Sequence, residues 1–268
     1  EEDLVEEHIG PIEPGYCREV RFGKHGENSL FSMQERSGFS CALSPEEIPV
    51  EWKNSFPSPA DLIDLSIKKK TLEATTVDER LMKRRKCEFE IFQSIEEHFL
   101  LPQIKNGFDE VEPFLSLANS TLQRRKARSG RSLELQLQRL FEEESFKEGN
   151  TFDAQKVTEA RSKPDFIFPS QSAYQDSSFP ADNLRILAVK TTAKDRWRQI
   201  LTEATRVKTK HLLTLQEGIS DQQYAEMKNA NVKLVVPTSV QSSYPQSYRH
   251  ELISLEDFMG ELRVLPSS

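Results

Sequence analysis

The chain has 268 residues, 36% of them hydrophobic and 29% charged, with a formal net charge of −7. That length supports one large domain or two modest ones, and the composition implies a folded, soluble protein with a polar surface. It argues against a membrane protein, since no apolar run approaches a membrane span and no basic-then-apolar leader opens the chain. The first residue is Glu1, followed by Glu2, Asp3, Glu6 and Glu7, so a piece trimmed from a longer chain is expected.

Residues 1–75 contain Pro11, Pro14, Pro45, Pro49, Pro57 and Pro59 and develop no long amphipathic period. They are expected to be an irregular N-terminal segment or connector, with Trp52 and Phe56 packing onto the main body. From Val77 the pattern turns helical, with Leu81, Phe89, Phe92, Ile95, Phe99 and Leu100 recurring until Pro102. A second helix is expected near Phe114 and a break at Gly130. A further helix should follow, with Leu133, Leu137, Leu140 and Phe141 on one face. After Gly149 short elements alternate. Pro164–Phe168 reads as a strand, Ser170–Asn183 as a polar loop, and Leu184–Val189 as a buried strand. Asp195–Lys208 reads as a helix, His211–Leu215 as a strand, Asp221–Lys228 as a helix, Val232–Val236 as a strand and Leu255–Leu262 as a last helix. Residues 76–268 are thus expected to form one α/β domain, a mixed central β-sheet flanked by helices.

Several chemistries find no support. Cys17, Cys41 and Cys87 are widely spaced with no CxxC pair, so neither a disulfide framework nor a structural zinc site is expected, and a reducing cytosol fits. His8, His25, His98, His211 and His250 form no HExxH-like cluster. No GxxxxGK[ST] or GxGxxG loop is present, so no nucleotide cofactor is expected.

Clusters of charge say more than the negative total. Basic residues gather at Lys83-Arg84-Arg85-Lys86, at Arg124-Arg125-Lys126 with Arg128 and Arg131, and at Lys194, Arg196 and Arg198. Each run alone reads as a solvated helix face, but together they suit a polyanion.

Asp165 follows Pro164 at a strand start, and Lys190 ends the next strand. Neighbouring strands can aim both at one point. Glu203 lies thirteen residues after Lys190, within reach if a helix carries it back. Two carboxylates are the hard oxygen ligands that suit Mg²⁺, and a lysine beside them can orient a water or offset charge on a phosphodiester under attack. A Pro-Asp pair and a strand-end lysine also occur with no catalytic role, so the glutamate carries weight.

The segments SKPDFIF and LAVKTTAKDRWRQIL, with Glu203, resemble the EcoRII family of type II restriction endonucleases, within the PD-(D/E)XK nuclease superfamily. The resemblance covers about residues 80–265. It implies a restriction-endonuclease-like core, Mg²⁺, double-stranded DNA as partner and a homodimer, one subunit per strand. The usual second carboxylate stands two residues before the lysine; here that residue is Ala188, and the family's pattern moves the role to Glu203. The family's short base-reading motif falls on Lys194, Asp195 and Arg196, residue types able to read adjacent G·C pairs. The resemblance further implies a CCWGG-like site, with Arg85 and Phe89, four apart on one helix, holding flipped central bases. The ordinary readings are phosphate contacts and a helix cap for the trio, and a core Phe89 beside a surface Arg85. Arg124, Arg125, Lys126, Arg128 and Arg131 are expected to clamp phosphates, and Glu134 to open a helix as an outer ligand or support near the metal.

Three rival readings remain. Tyr174 with Arg196 could supply a tyrosine-recombinase-like nucleophile. A non-catalytic DNA-binding module needs no intact triad. A structure-specific nuclease would not need the base-reading trio.

Overall fold

The computed structural model describes residues 41–69, 76–158 and 162–266, except the side chains of Lys194 and Asp195. They form two compact units. One comprises the described residues of Glu1–Thr71 and Lys86–Lys126, the other those of Leu72–Arg85 and Ala127–Ser268.

The first unit holds a helix inside the segment expected to be irregular, α1 (Pro59–Lys69). Pro59 occupies the first helical position, where its missing N–H costs nothing. Ser58 and Asp61 close a reciprocal cap: the Asp61 amide donates to Ser58 Oγ at 3.2 Å, and the Ser58 amide to Asp61 Oδ2 at 3.1 Å. The prolines that suggested irregularity include one that starts a helix. Leu62 packs with Cys41, Leu43, Ile48, Cys87, Ile91, Phe92 and Ile95, and Trp52 and Phe56 join this cluster. Contrary to expectation, Cys41 and Cys87 form a disulfide, Cα–Cα 5.0 Å. Their separation in sequence hid a pairing that tertiary packing creates.

Two long helices follow, α2 (Val77–Asn106) and α3 (Val111–Glu143). Neither expected interruption occurs. Pro102 lies inside α2, which continues to Asn106 and stops at Gly107, in the left-handed region with φ 75°. Gly130 lies inside α3, so Glu134 sits mid-helix and opens nothing. A single glycine costs a helix only about 1 kcal/mol, less than packing of Leu133, Leu137, Leu140 and Phe141 contributes.

The second unit is built on a five-stranded sheet with spatial order equal to chain order: β1 (Asp153–Ala154), β2 (Phe166–Phe168), β3 (Arg185–Lys190), β4 (Lys210–Thr214) and β5 (Val232–Val235). β1, β2 and β3 are antiparallel neighbours; β3, β4 and β5 run parallel. This is the mixed sheet expected, with β1 added. Both faces are covered, so alternate residues feed opposite cores. Leu187, Val189, Leu213 and Val235 pack with α3 and with α8 (Leu255–Arg263). Ala188, Leu212 and Leu234 pack with Trp197, Ile200, Tyr224, Met227 and Tyr248. Between these elements lie α4 (Gln171–Gln175), α5 (Asp221–Asn229), α6 (Thr238–Gln241) and α7 (Gln246–Arg249).

The expected helix over Asp195–Lys208 is instead a 3₁₀ helix, Lys194–Thr202. Glu203 caps its end in an extended conformation, and Ala204 turns left-handed at φ 46°. Trp197 and Ile200, three apart, both bury, a spacing that suits either helix type. No membrane-spanning helix is present among the described residues.

Candidate active site

The β2–β3 register pairs Phe166 with Leu187, which sets Asp165 beside the C-terminal part of β3. Asp165 is buried, at 8% exposure. Its Oδ2 accepts from the Val189 amide at 2.7 Å and from Lys190 Nζ at 3.4 Å. The two residues expected to converge do so, at the end of β3. Ala188 is fully buried in the apolar cluster beneath, with no carboxylate to offer.

Glu203 reaches the same neighbourhood from outside any helix. Its amide donates to the Ile200 carbonyl at 3.1 Å. Buried Lys210, at the start of β4, donates to the carbonyls of Glu203 and Ala204 at 2.5 and 2.6 Å. A cation under the chain thus holds the turn that presents Glu203. Burial, then the nearby charge of Asp165, push the Glu203 carboxyl above its ordinary pKa, while Lys190 and Lys210 act the other way.

Glu134, half-buried on α3, behaves alike. Burial and then Asp165 raise its pKa, opposed by Arg131, whose guanidinium donates to Glu134 Oε2 at 3.0 Å. Gln155 joins the two carboxylates: its Nε2 lies 2.8 Å from Asp165 Oδ1 and 3.4 Å from Glu134 Oε2. Neither Gln155 nor Lys210 was singled out by sequence. Gln155 follows a two-residue strand that no pattern announces, and Lys210 looks like the polar start of a buried strand. Among the described residues, no three His, Cys, Asp or Glu side chains converge as a formed metal-ion site.

The segment before the expected base-reading trio is fastened to β4 and the turn after it. The Ala193 amide donates to Gln216 Oε1 at 2.7 Å, and Thr214 Oγ1 donates to the Thr191 carbonyl at 3.2 Å. Lys194, Asp195 and Arg196 then open the 3₁₀ helix, with Arg196 exposed. Trp197 is buried in the apolar cluster, while Arg198 pairs with Glu226 at 2.5 Å.

The basic runs are not uniform solvated faces. Lys83 is exposed, but Arg84 is fully buried and bonds Glu143 at 2.8 Å. Arg85 is 4% exposed, its NH1 3.5 Å from Ser132 Oγ. Phe89 is half-buried in the apolar cluster of the first unit, stacked on Phe92 with ring centroids 6.4 Å apart. Arg124 lies 4.6 Å over the Phe56 ring, and Arg125 grips buried Glu96 through Nε at 3.0 and 2.9 Å. Lys126 is exposed and Arg128 half-buried. A helix turns successive residues through all directions, so a basic run spreads over buried and exposed sides.

Tyr174 is buried in an apolar cluster that also takes in Ala204, the residue after Glu203. It is 3% exposed and packs with Ile167, Leu184, Ile186 and Val207. Its hydroxyl accepts from the Arg206 amide at 3.4 Å, and the Arg206 guanidinium donates to the carbonyls of Tyr174, Asp176 and Phe179.

Comparison with known proteins gives this geometry a lineage. The sequence profile described as EcoRII C terminal matches residues 92–259. The Type II restriction enzyme EcoRII of Escherichia coli is 43% identical over 266 residues. That alignment takes in 98% of this chain and 63% of EcoRII, so the chain spans less than two-thirds of its relative's length. Among solved structures, metal-depleted Ecl18kI in complex with uncleaved DNA, and with uncleaved, modified DNA, each superpose with a TM-score of 0.64 at 20% identity. Each covers 83% of this chain and 85% of the other. That likeness shows a shared restriction-endonuclease fold. The profile takes in Asp165, Lys190 and Glu203 and well over half of the sequence: the chain belongs to the EcoRII C-terminal family.

Proposed function

We propose that the chain is a sequence-specific endonuclease that hydrolyses phosphodiester bonds in double-stranded DNA through Asp165, Lys190 and Glu203. The observation that carries this reading is Lys190 Nζ at 3.4 Å from Asp165 Oδ2, beside two further carboxylates, Glu134 and Glu203, whose pKa values are raised first by burial and then by the Asp165 charge. Neighbouring carboxylates are hard oxygen donors, suited to a small divalent cation. Asp165 and Glu203 would hold Mg²⁺, with Glu134 in support. When bound, such an ion supplies a Lewis acid and a water of lowered pKa.

The chain's own groups do the remainder. Lys190 orients the attacking water and offsets the negative charge that grows on the phosphoryl oxygens. The Val189 amide fixes one Asp165 oxygen, so the carboxylate does not rotate away. Lys210 keeps the Glu203 backbone in place from below.

The target proposed is a CCWGG-like site. Lys194, Asp195 and Arg196 would read the outer G·C pairs, from a segment held by Gln216 and Thr214. Arg85 and Phe89 would hold the extruded central bases. Exposed Lys126, with Arg124 and Arg128, would contact phosphates. Two copies, one per strand, suit a near-palindromic site, and the setting proposed is a bacterial restriction–modification system.

The test is plasmid digestion with Mg²⁺ against an EDTA control, with the cut ends sequenced. Cleavage at one fixed sequence is expected, and D165A and K190A should lose it while retaining specific binding. Full activity in either variant, or binding without cleavage on site-rich plasmids, overturns the proposal.

A further inference from the structure

Asp165 is held at three points. Oδ2 takes the Val189 amide and Lys190 Nζ; Oδ1 takes Gln155 Nε2 at 2.8 Å. The same Gln155 nitrogen lies 3.4 Å from Glu134 Oε2, so one neutral amide bridges carboxylates from two different elements. The backbone is bent to achieve this. Gln155 sits in the left-handed region at φ 53°, which a non-glycine residue adopts at a cost of about 1 kcal/mol or more. Its own amide donates to the Asp165 carbonyl at 3.0 Å, so main chain and side chain are both tied to the same aspartate.

We propose, on the nuclease reading above, that Gln155 is a positioning residue which holds Asp165 and Glu134 facing one another so that both can serve a single divalent cation. A carboxylate oxygen has two lone pairs, so Oδ1 bonded to Gln155 keeps one for a metal ion. Gln155 therefore orients the ligand without displacing the ion. Remove it, and the two like charges turn apart. Polar groups that orient metal ligands from behind typically govern metal affinity by about 10- to 100-fold.

The experiment titrates Mn²⁺ into the native chain, Q155L, Q155N and D165A, following loss of the free-ion EPR signal, with melting curves for each. Q155N retains an amide and tolerates the left-handed backbone but falls one methylene short, so it separates reach from folding. Q155L and Q155N are expected to weaken Mn²⁺ binding about 10- to 100-fold. Cleavage by both should recover at saturating Mn²⁺. Native Mn²⁺ affinity in folded Q155L and Q155N, with binding lost in D165A, overturns the role of Gln155 alone. Undiminished Mn²⁺ binding and cleavage in D165A overturns the nuclease reading beneath it.

Discussion

Two buried aspartates of the second unit are held in opposite ways. Asp78, 1% exposed near the start of α2, accepts three backbone amides: Thr238 at 3.1 Å, Leu255 at 3.0 Å and Glu256 at 2.9 Å. Its charge faces the positive end of α8, and every donor is fixed main chain. Asp165 has one such amide; its other partners are the side chains of Lys190 and Gln155, and two further carboxylates stand close by. The difference teaches how a structural carboxylate differs from one proposed to work. Main-chain donors make a buried charge a rivet. Exchangeable side-chain donors with excess negative charge leave a site that another cation would stabilise.

Substitution should separate the two most sharply. D165A is expected to lose DNA cleavage by at least about 1000-fold. Its melting temperature should fall less than that of D78A, because only one backbone amide, that of Val189, loses its acceptor. A fall in stability as large as that of a core variant would erase the contrast. D78A should do the reverse. Three amides lose their acceptor at a helix start, so denaturant unfolding should show a loss of about 2–4 kcal/mol, with cleavage by the folded fraction intact.

A buried base extends the comparison to pH. His211, 1% exposed against Phe258, is pushed down from 6.5 to about 3, first by burial and then by Lys233 and Arg185. It is therefore neutral at 3.9 Å from Glu261, and no ion pair forms there at neutral pH. The unfolded imidazole protonates below 6.5 while the folded one does not, so this contribution is complete above pH 6.5. It declines by about 1.4 kcal/mol per pH unit as pH falls toward about 3. Urea midpoints between pH 7 and 4.5 should be flatter for H211L than for the native chain. The smallest effect belongs to Tyr174. Y174F removes one long hydrogen bond to Arg206 and should cost under about 1 kcal/mol, with unchanged cleavage. Loss of cleavage would bring the tyrosine-nucleophile reading back.

Much of this was legible from residues. Runs such as Leu184–Val189 and Val232–Val236 are apolar on both strand faces, which only a covered sheet needs, and they became β3 and β5. Asp165 and Lys190 could be paired because adjacent strands bring their ends together. What escaped depends on tertiary partners. The 3₁₀ helix shares its i, i+3 spacing with an α-helix, so Glu203 was expected one structural state away from where it lies. Arg84, in a run of four basic residues, is buried because Glu143, 59 positions on, meets it. Gln155 owes its place to a backbone conformation that its side chain does not advertise. The Cys41–Cys87 bond joins positions 46 apart, with nothing local to mark the pair.

The loop between β3 and β4 is tied down at both ends by the β4 region. Gln216 and Thr214 grip it at Ala193 and Thr191, and Lys210 grips it at Glu203 and Ala204. Between those anchors lie the residues proposed to read bases. Such a stretch is a cassette: its letters can be exchanged while its borders, one of them the carboxylate proposed to be catalytic, stay registered to the sheet. New specificities can then evolve on this scaffold without retuning the chemistry beside them.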